Sequence, residues 1–226
     1  MQFNRVAIAN DWRKTWRLSR WALLSMLLGR ATSYLMPWII LWAYDARRTA
    51  LLGMCMTLIG VPNMVIVAMC NCMRPRLFRE YAEGGLPALK RMLLRSSVVF
   101  AIAPSLFLIA LLVLGDYVGT FFYGPACVGS GIILAVMTLG RLAGGIGMAI
   151  AAGLWAIDRP QDNVMPNVWD LVLTLGGAAL LVPSYGVIGA ATATALGNIA
   201  CALSRWQKLR RSLHNLTTNA DLEVAV

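Results

Sequence analysis

Histidine is almost missing from this sequence: His214 is the one example in 226 residues, and only ten residues are acidic. Hydrolytic chemistry inside a membrane usually draws on a histidine close to the reacting bond. His214 instead lies in a polar C-terminal stretch. Metal-assisted transfer needs clustered acids, and the nearest candidate is Asp158-Arg159-Pro160-Gln161-Asp162-Asn163. Two acids four apart around a proline make a poor magnesium site and a good turn. Cysteine offers no metal site either. Cys70 and Cys72 are two apart, closer than zinc pairs, and Cys55, Cys127 and Cys201 read as small packing residues. No enzyme activity, metal or cofactor is expected.

Charge is also scarce, at 13% of residues against 59% hydrophobic, where a soluble domain runs near a quarter and a half. What the sequence has instead is long uncharged runs. Thr49–Met73, Ser96–Gly115, Tyr117–Gly140 and Leu171–Ser204 hold no charged side chain. A hydrocarbon core about 30 Å thick needs roughly 20 apolar helical residues. The expected fold is therefore all-α, a multi-pass transmembrane bundle with about six spans: Trp21–Tyr44, Thr49–Met73, Ser96–Gly115, Val128–Ile157, Asn163–Val182 and Gly186–Ser204. Residues 1–20 read as a basic lead-in or interfacial helix, with Trp12 and Trp16 on one face and no secretory signal; residues 21–204 are the membrane domain. Residues 205–226 read as a basic and polar tail, disordered over 212–226.

The net charge of +10 raises nucleic acid as a partner, but the bases are placed at span ends and no nucleic-acid motif is visible. With the N-terminus inside, sixteen of the twenty lysines and arginines fall in inner segments, and only Arg47 and Arg48 in outer ones. That asymmetry predicts cytoplasmic N- and C-termini. Trp38, Trp42, Tyr44, Tyr117, Phe121, Phe122, Tyr123 and Tyr185 then sit at the outer interface, with Trp16, Trp21, Trp155 and Trp206 at the inner one. The longest inner loop is Arg74–Arg95, turning at Gly84-Gly85. The outer segment from Asp116 reads as a short interfacial helix ended by Gly124 and Pro125. Small residues at intervals of four (Gly140 and Gly144; Gly145, Ala149 and Gly153; Gly189, Ala193 and Gly197) predict close helix packing. Pro37, Pro62 and Pro104 lie inside spans, where proline frees carbonyls and allows a moving bundle.

Three ionisable residues fall inside spans: Arg30, Arg141 and Asp170. Arginine at a span centre costs about 2.5–3.5 kcal/mol on insertion scales, and that cost is normally offset by a partner or a wet cavity. One reading has Arg30 and Arg141 lining a cavity and binding an anionic group such as a lipid diphosphate. The other pairs Arg141 with Asp170 and lets Arg30 snorkel. Asn167 and Trp169, beside Asp170, offer hydrogen bonding and stacking to a sugar.

The stretch Val182-Pro183-Ser184-Tyr185-Gly186-Val187-Ile188-Gly189-Ala190-Ala191-Thr192-Ala193-Thr194-Ala195 resembles a recurring turn in polysaccharide flippases of the multidrug/oligosaccharidyl-lipid/polysaccharide exporter superfamily. There a span ends in Pro-x-Tyr-Gly and the next opens Gly-Ala-Ala-x-Ala-Thr. The basic loop after span two and the aromatic-Tyr-Gly segment after span three are similar as well. The resemblance implies a bacterial inner-membrane flippase for lipid-linked oligosaccharide or polysaccharide precursors, working by alternating access. Such proteins have two six-helix lobes; these six spans resemble the C-terminal one. A partner is thus implied, either an N-terminal lobe on another chain or a second copy, along with the lipid-linked sugar and membrane lipid. Two rivals are a multidrug/cation antiporter lobe, which would rely on Asp170, and a non-transporting scaffold subunit.

Overall fold

The structure, a computed structural model, describes residues 5–123, 130–157 and 159–224. Among them there is no strand. Four helices follow in order: α1 (Arg5–Ala43), α2 (Ala46–Tyr123), α3 (Ser130–Ala156) and α4 (Val164–Val224), with a 3-10 turn at Pro160–Asn163 before the last. All four contain segments long and apolar enough to cross a membrane.

Two of these helices cannot be straight rods. At 1.5 Å per residue, the 78 residues of α2 would reach about 117 Å. Yet Ile66 and Phe100, 34 positions apart, pack in one cluster with Ala149 of α3. The chain folds back at Gly85, whose φ of 62° is a left-handed value that glycine adopts without a Cβ penalty. In the same way α4 folds back at Gly186, φ 58°. A Cβ on Gly197 would collide with Thr174 and stand 2.7 Å from the Asp170 carboxylate, although 27 residues separate Gly197 from Asp170. Each long helix is therefore two arms (46–84 and 86–123; 164–185 and 187–224), and the described chain makes six membrane-length segments.

Both reversals fall where the sequence places turns, but the surroundings differ from expectation. Arg74–Arg95 is not a loop: both arms of α2 continue helically through it and only Gly85 departs from helical backbone. Leu77, Leu89 and Leu93 on those extensions bury against Leu154 and Leu209, so they are worth ordering. The tail likewise continues α4 to Val224, where disorder was expected. Leu209 and Ser212 are buried, and Arg159 donates to the Ser212 hydroxyl at 3.5 Å. Pro37, Pro62 and Pro104 all lie within helix, and the break in α2 is at Gly85 instead. Gly124, Pro125, Cys127 and Asp158 lie outside the described residues.

Packing ties the two ends of the bundle separately. At one end Met36, Leu52, Leu134 and Val182 share a core. Here the Tyr44 hydroxyl donates to the Val182 carbonyl at 2.6 Å and lies 3.0 Å from that of Pro183. These carbonyls lose helical partners at the Gly186 reversal, so a hydroxyl satisfies them. The Arg48 guanidinium lies 4.2 Å over the Tyr44 ring, and Asp45 caps α2 by accepting from the Arg48 amide at 2.8 Å. At the other, basic end, the Gly85 reversal, the 3-10 turn and the distal part of α4 meet.

The glycine stripes work as packing surfaces. A Cβ on Gly140 would be 2.7 Å from the Ala195 Cα, and one on Gly147 3.3 Å from the Ala202 Cα, so this face of α3 admits the second arm of α4. Gly145 and Gly153 face α2 instead, against Ile66 and Leu93.

Candidate functional site

A polar cluster lies between α1 and the two arms of α4. Helical spacing builds it from each element. On α1, Ser25, Gly29 and Thr32 are four and three apart and share one face. On the first arm of α4, Asn167, Asp170 and Thr174 repeat at three and four and are buried, as is Asn163, which ends the 3-10 turn just before that arm. On the second arm, Gly197, Cys201 and Arg205 repeat at four.

Asn167 is the hub. Its amide nitrogen donates to the Ser25 carbonyl at 2.8 Å and lies 2.6 Å from the Ser25 hydroxyl. Its carbonyl oxygen accepts from the Arg205 guanidinium at 2.7 Å, with the Cys201 sulfur 3.7 Å away. Asp170, one turn along, receives the hydroxyls of Thr32 at 3.4 Å and Thr174 at 3.5 Å. Arg205 and Arg141 both act electrostatically on the carboxylate. The ion pairs among the described residues are Arg79–Glu83 and Lys208–Asp162, so Arg141 and Asp170 make no direct bridge. Gly29 faces the Asn167 amide, which a Cβ there would meet at an ordinary contact distance of 3.9 Å.

The structure thus brings together Asn167, Asp170 and Arg141, and adds Arg205. It does not bring in Arg30 or Trp169. Trp169 is 44% exposed and faces away from the side of α4 that carries Asn167. Arg30 is two residues from Thr32, and so points away from Asp170. It is exposed, on the side of α1 that carries Tyr34, with no hydrogen bond or ion pair to another described residue. It lies eleven residues, about 17 Å, into the membrane-length segment Ser19–Ala43, near the middle.

Arg205 is the residue that sequence reading passed over as a site residue, counting it only among the bases of the inner end. The signal was available: it continues the Gly197–Cys201 spacing, which marks the packed face of its helix. Ser25, Thr32 and Thr174 were passed over because hydroxyls are unremarkable in apolar helices until a partner is known. No group of three His, Cys, Asp or Glu among the described residues could hold a metal.

Solved structures carry this arrangement of helices. The chain is similar to the crystal structure of MATE in the bent conformation, with a TM-score of 0.84 over 98% of this chain at 15% identity. It is equally similar to a multidrug resistance MATE family transporter of the MOP superfamily in an outward-facing conformation, TM-score 0.83 over 96% at 16% identity. In each case it spans 49% of the solved chain, so its fold is that of about half of such a transporter. No protein-family model and no curated protein matches the chain.

Proposed function

We propose that this chain is one lobe of an alternating-access membrane transporter, with lipid-linked oligosaccharide or polysaccharide precursors as cargo. The carrying observation is Arg30. An arginine in the middle of a membrane-length helix, exposed and without a hydrogen-bond or ion-pair partner among the described residues, is costly against hydrocarbon. It is tenable facing a water-filled cavity between two lobes, where a guanidinium suits the diphosphate of a lipid-linked sugar. The half-length fold supports the same picture, since a second lobe is needed to close that cavity. On this reading both termini are cytoplasmic, in a bacterial inner membrane, because the bases gather at one end of the bundle. Arg141 and Arg205 stay inside the lobe and offset Asp170.

A second reading, cation-coupled multidrug extrusion, is favoured by Asp170, a buried carboxylate held by hydroxyls at 3.4 and 3.5 Å. Transport by the complete two-lobe assembly separates the two. For a flippase, Arg30→Gln should abolish translocation of a fluorescent polyprenyl-diphosphate sugar, with Arg30→Lys partly active. For an antiporter, Arg30→Gln should stay active on lipophilic cations while Asp170→Asn loses ion dependence. Full lipid-sugar transport by Arg30→Gln would refute the leading reading.

A further inference from the structure

At the basic end, the second arm of α2 and the distal part of α4 flank a groove of about 840 Å³, with Ile150 of α3 between them. None of its lining residues belongs to the Asn167–Asp170 cluster. Chemistry changes with depth along both walls. On α2, Lys90 stands nearest the Gly85 reversal, and Leu94 and Ser97 follow one and two turns toward the span. On α4, Trp206 is nearest the span, and Arg210, Arg211 and His214 lie beyond it. The bases therefore lie toward the outer end of both walls, the inner end is uncharged, and among the described residues no carboxylate lines the groove.

The walls also continue inward as exposed apolar strips. Leu94, Val98 and Ile102 recur at intervals of four on α2; Leu196, Ile199 and Leu203 do so at three and four on α4. A soluble anion would use the bases and leave both strips idle. A phosphodiester that carries acyl chains uses both. Trp206, half exposed at the junction, sits where indoles favour the headgroup level.

We propose that this groove binds an anionic phospholipid of the bilayer. Its phosphodiester is held between Lys90 and the Arg210–Arg211 pair, and its acyl chains lie along the two strips. The site depends on these helices spanning a membrane and is independent of the cargo.

The test uses the whole purified chain in a neutral detergent, with native mass spectrometry and thermal unfolding as readouts. It is titrated with phosphatidylglycerol, phosphatidylcholine or inorganic phosphate. Phosphatidylglycerol should bind and raise the unfolding temperature; the other two should not. Each basic residue near a phospholipid surface contributes about fivefold in affinity. Arg210→Gln with Arg211→Gln should therefore weaken phosphatidylglycerol binding by roughly thirtyfold, and Lys90→Gln by roughly fivefold. Arg74→Gln with Arg76→Gln, which removes two exposed bases at the same end but outside the groove, should bind normally. Equal binding of phosphatidylcholine, or stabilisation by inorganic phosphate alone, would overturn the proposal, as would equal weakening in the Arg74/Arg76 variant. Should the Arg210/Arg211 variant fail to fold, Lys90→Gln decides the matter from the opposite wall.

Discussion

Asp170 is stabilised at a distance by guanidinium groups and locally by hydroxyls, and this division of labour predicts an order among its neighbours. Arg205 makes a 2.7 Å charge-assisted bond to Asn167, which neighbours Asp170 on the same face of α4. Hydrogen bonds to charged groups contribute about 1.5–3 kcal/mol. Arg205→Ala should therefore lower stability by about 2 kcal/mol, measured as thermal unfolding in detergent. Arg141→Ala should lose less, because among the described residues Arg141 makes no hydrogen bond or ion pair comparable to the Arg205–Asn167 bond. A larger loss for Arg141 would reverse this assignment. Tyr44→Phe tests the other end of the bundle. It removes the donor to the Val182 carbonyl at the Gly186 reversal, for an expected loss of about 1 kcal/mol.

At the scale of helices, close approach decides which glycines matter. Gly197 faces Thr174 and Asp170 across the α4 hairpin with no room for a methyl group, whereas Gly176, on the other arm, has nothing within 4 Å. Gly197→Ala should destabilise by about 1–3 kcal/mol through overpacking. Gly176→Ala should be neutral or stabilise by up to about 1 kcal/mol, since alanine is the better helix former. The same unfolding measurement ranks them, and equal effects would mean the two arms do not pack as described. At Gly186 the objection to alanine is conformational: at φ 58° an L side chain costs roughly 1–2 kcal/mol.

For the whole molecule, the proposed lobe reading gives this chain half of a pathway. Reconstituted alone in liposomes, the chain should fail to move a fluorescent lipid-linked sugar; robust translocation by a monomer would contradict the lobe reading. Cavity exposure of Arg30 is testable without transport. In the complete assembly, Arg30→Cys should react with a charged, water-soluble maleimide, while Leu106→Cys, exposed on the second arm of α2, should not. An unreactive Arg30→Cys would mean that this face of α1 meets lipid or protein.

Composition and the spacing of uncharged runs determined the helical class and the membrane-length segments, Gly84-Gly85 marked one reversal, and the resemblance at Pro183-Ser184-Tyr185-Gly186 marked the other. These properties depend on local backbone and on transfer from water, which act over about twenty residues at a time. The glycine stripes were legible for a related reason: small residues at intervals of four have one common use, close packing. Only the tertiary structure decided the rest. Whether Arg30 and Thr32, two positions apart, meet the same partner depends on which side of α1 receives α4. Arg205 read as one more base of the inner end because its partner Asn167 lies 38 residues away, across a reversal. The helical course of Arg74–Arg95 and of the tail was hidden for the same reason. Their polar sequence favours solvent, and it is burial of Leu77, Leu89 and Leu209 against Leu154, a contact between distant segments, that orders them.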